Sequence, residues 1–136
     1  MSKGNQTETD LVAKIFNNTA IPWDAITNIF VSLHTADPGE AGTQLTSEAT
    51  FTGYARVSVA RTAGGWTVSA GAATNAALVQ FPQCTAGSST ITYVCVGTLT
   101  SGAGQILYSG ALSSSLSISA GIQAQFNIGA LAITED

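Results

Sequence analysis

No Asp, Glu, Lys, Arg or His occurs between Thr62 and Thr134, a stretch of 73 residues in a chain of 136. Ordinary soluble domains are about 25% charged, because ionised groups keep a folded surface hydrated and apart from its neighbours. This chain is 9% charged. Ser, Thr, Gly, Asn and Gln interrupt the stretch throughout, and no apolar run approaches the ~20 residues of a spanning helix. More than half of the chain must therefore fold with a polar but neutral surface, which suits a subunit packed against other subunits.

The remaining composition narrows the function classes. Lys3, Lys14, Arg56 and Arg61 are the only basic residues, and the formal net charge is −4, so no basic field exists to attract nucleic acid. Met1–Asp10 is polar and has no apolar segment of a secretory signal. A membrane β-barrel would need outward apolar bands and paired aromatic girdles, and neither is seen in the sequence. Cys84 and Cys95 are expected to be reduced, packed thiols, with a disulfide closing a short hairpin-like loop as the alternative. No metal spacing accompanies them, and no cofactor is expected.

The length allows one domain with a real core: an N-terminal arm and helix over 1–27 and a β body over 28–134. Thr7 with Asp10 three residues on predicts a helix N-cap, and Pro22 predicts the end. Leu11 with Ile15, and Val12 with Phe16, form an apolar stripe that should bury against this body or a neighbour. Trp23 and Ile26 look like anchors for the segment. The period then changes to two. Strands are predicted around Ile29–Leu33, Ala55–Val59, Trp66–Val68, Ala77–Phe81, Ile91–Val96, Ile106–Tyr108, Leu116–Ile118 and Ile122–Ile128. The apolar phase reverses between Ile128 and Leu131, which predicts a bulge at Gly129. About eight short strands and one helix predict a mainly β fold, an antiparallel β-sandwich or small barrel with one short N-terminal α-helix.

Few residues invite chemistry. His34 is the only histidine. No Gly-x-Ser-x-Gly elbow exists, and the neutral stretch offers no charged partner to orient a base, so a hydrogen-bonded structural His34 is expected. Asp37, Glu40 and Glu48 share one turn-rich segment that could gather calcium, but the Asp-x-Asn-x-Asp-Gly pattern is missing and a solvated loop is expected instead. Arg56 and Arg61 flank one strand on opposite faces, and pairing within the chain with Glu48 or Asp37 is expected over pairing with a neighbour's acid. Gly102-Ala103-Gly104 has neither the Lys nor the helix of a phosphate loop.

The segment Val31–Gln44, Glu48, Phe51-Thr-Gly-Tyr-Ala-Arg-Val57, Gly65-Trp66 and Phe81-Pro-Gln-Cys84 resembles a family of small tailed-bacteriophage and prophage virion proteins. Members are labelled tail-fibre-like or minor structural proteins, and some similar small β proteins act as capsid cement. The similarity covers nearly the whole chain. It implies a structural role in the virion and brings no catalytic residues. The family often carries a second His where this chain has Tyr93, so no two-histidine site carries over.

These observations lead to the expectation of a non-enzymatic capsid decoration or cement protein. It would form a homo-oligomer, a trimer, and touch the major capsid protein or other virion proteins, with neither nucleic acid nor membrane as partner. A tail or head fibre or adaptor component that serves host attachment is the alternative. Leu11, Ile15, Phe16, Trp23, Arg56 and Arg61 are the candidate subunit contacts.

Overall fold

The computed structural model describes residues 1–135, which form ten strands and one helix. Their order is β1 (Ser2–Lys3), α1 (Asn5–Asn17), β2 (Asn28–His34), β3 (Val57–Ala60), β4 (Trp66–Ser69), β5 (Ala72–Asn75), β6 (Val79–Gln80), β7 (Ser88–Gly97), β8 (Ile106–Ser119), β9 (Gln125–Phe126) and β10 (Ala132–Thr134). Hydrogen bonds group the strands into three antiparallel sheets ordered β1-β8-β7-β2-β3, β10-β5-β4 and β6-β9. The large sheet ends in β1 on one side and β3 on the other, so the expected small barrel does not close.

The apolar alternation explains the core. Val31 and Leu33 of β2, Ile91, Val94 and Val96 of β7 and Ile118 of β8 bury against Trp66, Val79, Phe81, Leu131 and Ile133. Phe51, Tyr54, Phe81 and Phe126 form a ring chain with successive centroids 5.4, 6.4 and 6.3 Å apart. Each buried large side chain contributes about 1.5–3 kcal/mol of transfer free energy. Ser32 and His34 point away from Val31 and Leu33, because strand side chains alternate. They are nevertheless fully buried, beneath the loop that carries Thr46.

β8 runs unbroken for 14 residues where the sequence predicts two short strands. Its middle, Ser109–Ser115, is too small and polar to show an apolar alternation; β7 pairs with both ends, and Leu112–Ser115 bulge out between them at a register shift opposite Thr92. Two weak segments were also missed, β1 and the alanine-rich β5, which pair with β8 and with β4 and β10.

The end of the chain corrects another expectation. Gly129 has φ +78° and lies in a turn between β9 and β10, which belong to different sheets, so it is no bulge within one strand. Buried Asn75 organises this turn: its Nδ2 donates to Ala77 O, Phe126 O and Asn127 O at 2.8, 3.3 and 2.9 Å, and its Oδ1 accepts from Leu131 N–H at 2.9 Å. The phase reversal is thus a change of sheet. Ile128 is left in the open.

Helix α1 departs from expectation at both ends and on its surface. Gly4 is the N-cap and makes no side-chain cap bond. A Cβ there would lie 2.4 Å from Ile106 O, so only glycine allows the helix start to approach β8 this closely. Thr7 sits in the first turn instead, with its hydroxyl donating to Ile106 O at 2.8 Å. The helix stops before Pro22 acts, because Asn18 adopts the left-handed conformation (φ 51°) and both Asn18 and Thr19 N–H turn back to Ala13 O. Its buried positions are Thr7 and Asp10. Of the predicted apolar stripe, Leu11 is half-buried at the groove, while Val12, Ile15 and Phe16 face outward, 56%, 71% and 79% exposed. Polar partners at the start of β8 decide the orientation: Gln105 donates to Thr7 Oγ1 and to Asp10 Oδ2, each at 3.0 Å.

Candidate functional site

Two features stand out from the scaffold: a buried polar network and an open apolar groove. The network centres on Glu48. Arg56 donates to it from Nε at 2.7 Å and from an Nη at 2.8 Å, and Tyr54 OH donates at 2.8 Å. Arg56 also donates to Leu99 O and Gly102 O at 2.8 and 2.7 Å, fastening the β7–β8 loop. Its side chain is 2% exposed, so its charge is spent inside the chain. Burial, with the Glu48 charge adding, pushes the Tyr54 phenol well above its ordinary value.

His34 lies beside this network with both ring nitrogens engaged, at 2.8 Å from Thr46 O and 2.8 Å from Ser32 Oγ. A carbonyl can only accept, so Nδ1 carries the proton and Nε2 accepts from the serine. Burial holds the imidazole below its ordinary value, which keeps it neutral. Glu48 is occupied by Arg56 and Tyr54, while Asp37 accepts from Gly39 N–H at 2.8 Å in its own turn. No group of three metal-ligating side chains assembles among the described residues. Cys84 and Cys95 are buried free thiols, and burial, with nearby acidic charge adding, pushes Cys95 up to about 12.

The groove opens between α1, the large sheet and the β10-β5-β4 sheet, with a volume of about 750 Å³. Leu11, Trp23, Trp66, Val68, Leu107 and Ile133 line it, and Ala72 and Ala73 of β5 leave the room. Its polar groups are already engaged. Arg61 donates to Trp23 O, Asp24 O and Ile26 O at 3.3, 2.8 and 2.6 Å, and its guanidinium lies 5.8 Å from the Trp23 ring centre. Glu135 accepts from Lys3 and Tyr108, the first of which does most to hold its carboxyl below the usual range. Asp10 fixes Trp23 by accepting its indole N–H at 2.9 Å. Burial alone would raise the Asp10 carboxyl, but the Gln6, Gln105 and Trp23 donors together hold it low.

Two buried side-chain donors lack partners among the described residues, Gln44 Nε2 and Trp66 Nε1. Gln44 is fully enclosed, filling the space beside Gly97 and Gly104. Trp66 differs, because it is 7% exposed and borders the groove.

Of the six candidate contact residues, the structure brings Leu11, Trp23 and Arg61 to the groove and places Ile15 and Phe16 on the same helix beyond it. Arg56 lies apart, in the buried network. Sequence reasoning placed Trp66 on a strand without tying it to a groove, and passed over β5. The signal available was the small run Ala70-Gly-Ala-Ala73 beside two tryptophans.

The family model of the podophage GP4 fiber I protein gp80 matches residues 2–134, spanning the helix, the groove and the buried network. The chain belongs to this family. It is therefore a member of a phage virion structural protein family, in agreement with the resemblance carried by Val31–Val57. No curated protein matches the chain. The groove and the outward face of α1 are two apolar surfaces that the chain leaves unpacked.

Proposed function

We propose that this chain is a non-enzymatic structural subunit of a podophage fibre, working by self-association within the virion. The match of the fibre I family across residues 2–134 carries this reading, and it moves the weight from capsid cement to the fibre alternative. The surface supports it. The stretch Thr62–Thr134 supplies seven of the ten strands without one of the five charged residue types, so subunits can meet without desolvating buried charge. The buried network supports a bracing role, since its hydrogen bonds run between groups of the chain itself. Three copies are the expected number.

Imaging of purified particles carrying a label on this chain tests the proposal. Sparse density at the tail or at a vertex is the expected result. A coat spread over the whole capsid lattice would return the chain to the cement role, and its absence from particles would end the virion reading.

A further inference from the structure

We propose that the groove receives the C-terminal turn of helix α1 from a second copy of the chain, with Phe16 as the inserted side chain. This deepens the reading of the chain as a self-associating subunit, by naming the two surfaces that meet. The groove sets the chemistry of its occupant. Its charged groups and the Thr7 and Tyr108 hydroxyls are engaged, with Trp23 O, Asp24 O, Ile26 O, Lys3, Glu135 and Ile106 O. What remains is a largely apolar wall, the Thr62 hydroxyl and one buried, unpartnered indole N–H, that of Trp66. A sugar would bring many hydroxyls to a wall that is mostly apolar. A peptide that brings a bulky apolar side chain and one carbonyl meets both demands.

The last turn of α1 has those two groups side by side. Ile15 and Phe16 are 71% and 79% exposed on a helix whose first turns are pinned to β8. A helix leaves its final four carbonyls without intrahelical donors. Asn18 and Thr19 N–H both go to Ala13 O, so no described backbone N–H outside the helix satisfies Lys14 through Asn17. Charge is complementary as well. The partial negative charge of a helix C-terminus suits the positive charge that Arg61 keeps beside the groove, and Lys14 in that turn suits Asp24, which is 76% exposed next to Arg61. The chain's own helix cannot serve, because Leu11 already lines the groove and fixes the helix alongside it. Total surface is 6934 Å², and a standard interface of about 800 Å² per partner asks for little of it.

Sedimentation of the full chain at micromolar concentration, with circular dichroism as a check of folding, tests the pairing. Wild type should associate, and Phe16→Asp on the helix and Val68→Asp on the groove wall should each weaken association by about 30-fold or more. Ile128→Asp, an equally exposed apolar position outside the groove lining, should leave it unchanged. Mixing the first two variants should restore a pair, since one keeps an intact groove and the other an intact helix. A mixture that stays monomeric overturns the inference. If wild type associates and Phe16→Asp does so equally, the groove pairing is wrong while the fibre reading stands. A monomeric wild type would also overturn it, leaving the groove to another virion protein, and particle imaging decides the fibre reading independently.

Discussion

Replacing Arg56 by Met should cost about 3–5 kcal/mol of folding stability, because it strands the Glu48 carboxylate in a buried site. Methionine keeps most of the apolar stem, so little packing is lost. Leu99 O and Gly102 O lose donors, but both lie in exposed loop positions where water can replace the guanidinium. Glu48 has no such recourse. Its side chain is 10% exposed and would keep only the Tyr54 hydroxyl. Hydrogen bonds to charged groups are worth about 1.5–3 kcal/mol each, and two are removed, which agrees with the upper part of that range. The double variant Arg56→Met with Glu48→Gln removes both charges and leaves Tyr54 an acceptor. It should recover at least about 2 kcal/mol relative to Arg56→Met alone. Urea unfolding followed by tryptophan fluorescence, with unchanged m-values, measures both quantities. A cost below about 1 kcal/mol for Arg56→Met, or a double variant as damaged as the two singles summed, would refute the assignment of this ion pair as the brace.

Burial holds the folded His34 pKa below its ordinary 6.5, so the unfolded chain takes up the proton first. Stability should therefore fall as pH drops below that value and level off below the folded one. Asp10 and Glu135, whose ordinary values are 3.8 and 4.5 and whose folded values are lower, lose stability in the same direction but at more acid pH. His34→Gln should flatten the first of these slopes, measured as unfolding free energy against pH; an unaltered slope would show that another group titrates. Gly4→Ala should destabilise the chain by about 1–3 kcal/mol through its clash with Ile106 O and speed hydrogen exchange in α1, and wild-type exchange rates there would contradict the close approach.

The strands with large alternating side chains were legible, and those built from small residues were not. Ile29, Val31 and Leu33 announce β2, whereas nothing in Ala72–Asn75 announces β5, whose place is set by Trp66–Ser69 and Ala132–Thr134 on either side. Helix α1 shows the opposite fault. Its apolar periodicity was real, but periodicity says which residues share a face and not whether that face turns inward. Orientation was decided by Thr7, Asp10 and Gln105, three hydrogen-bonding residues whose meeting requires contacts across about a hundred positions of sequence. The pairing of Arg56 with Glu48 was within reach because they are near neighbours in the chain. The groove was not, since its walls come from distant segments and its volume arises from what Ala72 and Ala73 lack.

Helix α1 and strand β1 both rest on β8, through Gly4 N–H to Leu107 O, Thr7 to Ile106 O, and the pairing of Ser2 with Ser109 and Lys3 with Tyr108. During synthesis those partners emerge about 90 residues after the helix is complete. An isolated helix of 13 residues is marginal in water, so until then the segment has little to hold its shape. The outward Phe16 face thus becomes a defined surface only once most of the chain has been translated and the long-range pairing has formed. Half-made copies on neighbouring ribosomes would lack it. For the self-association proposed above, the fold itself would delay that contact until a subunit is nearly complete, a form of quality control for an ordered assembly.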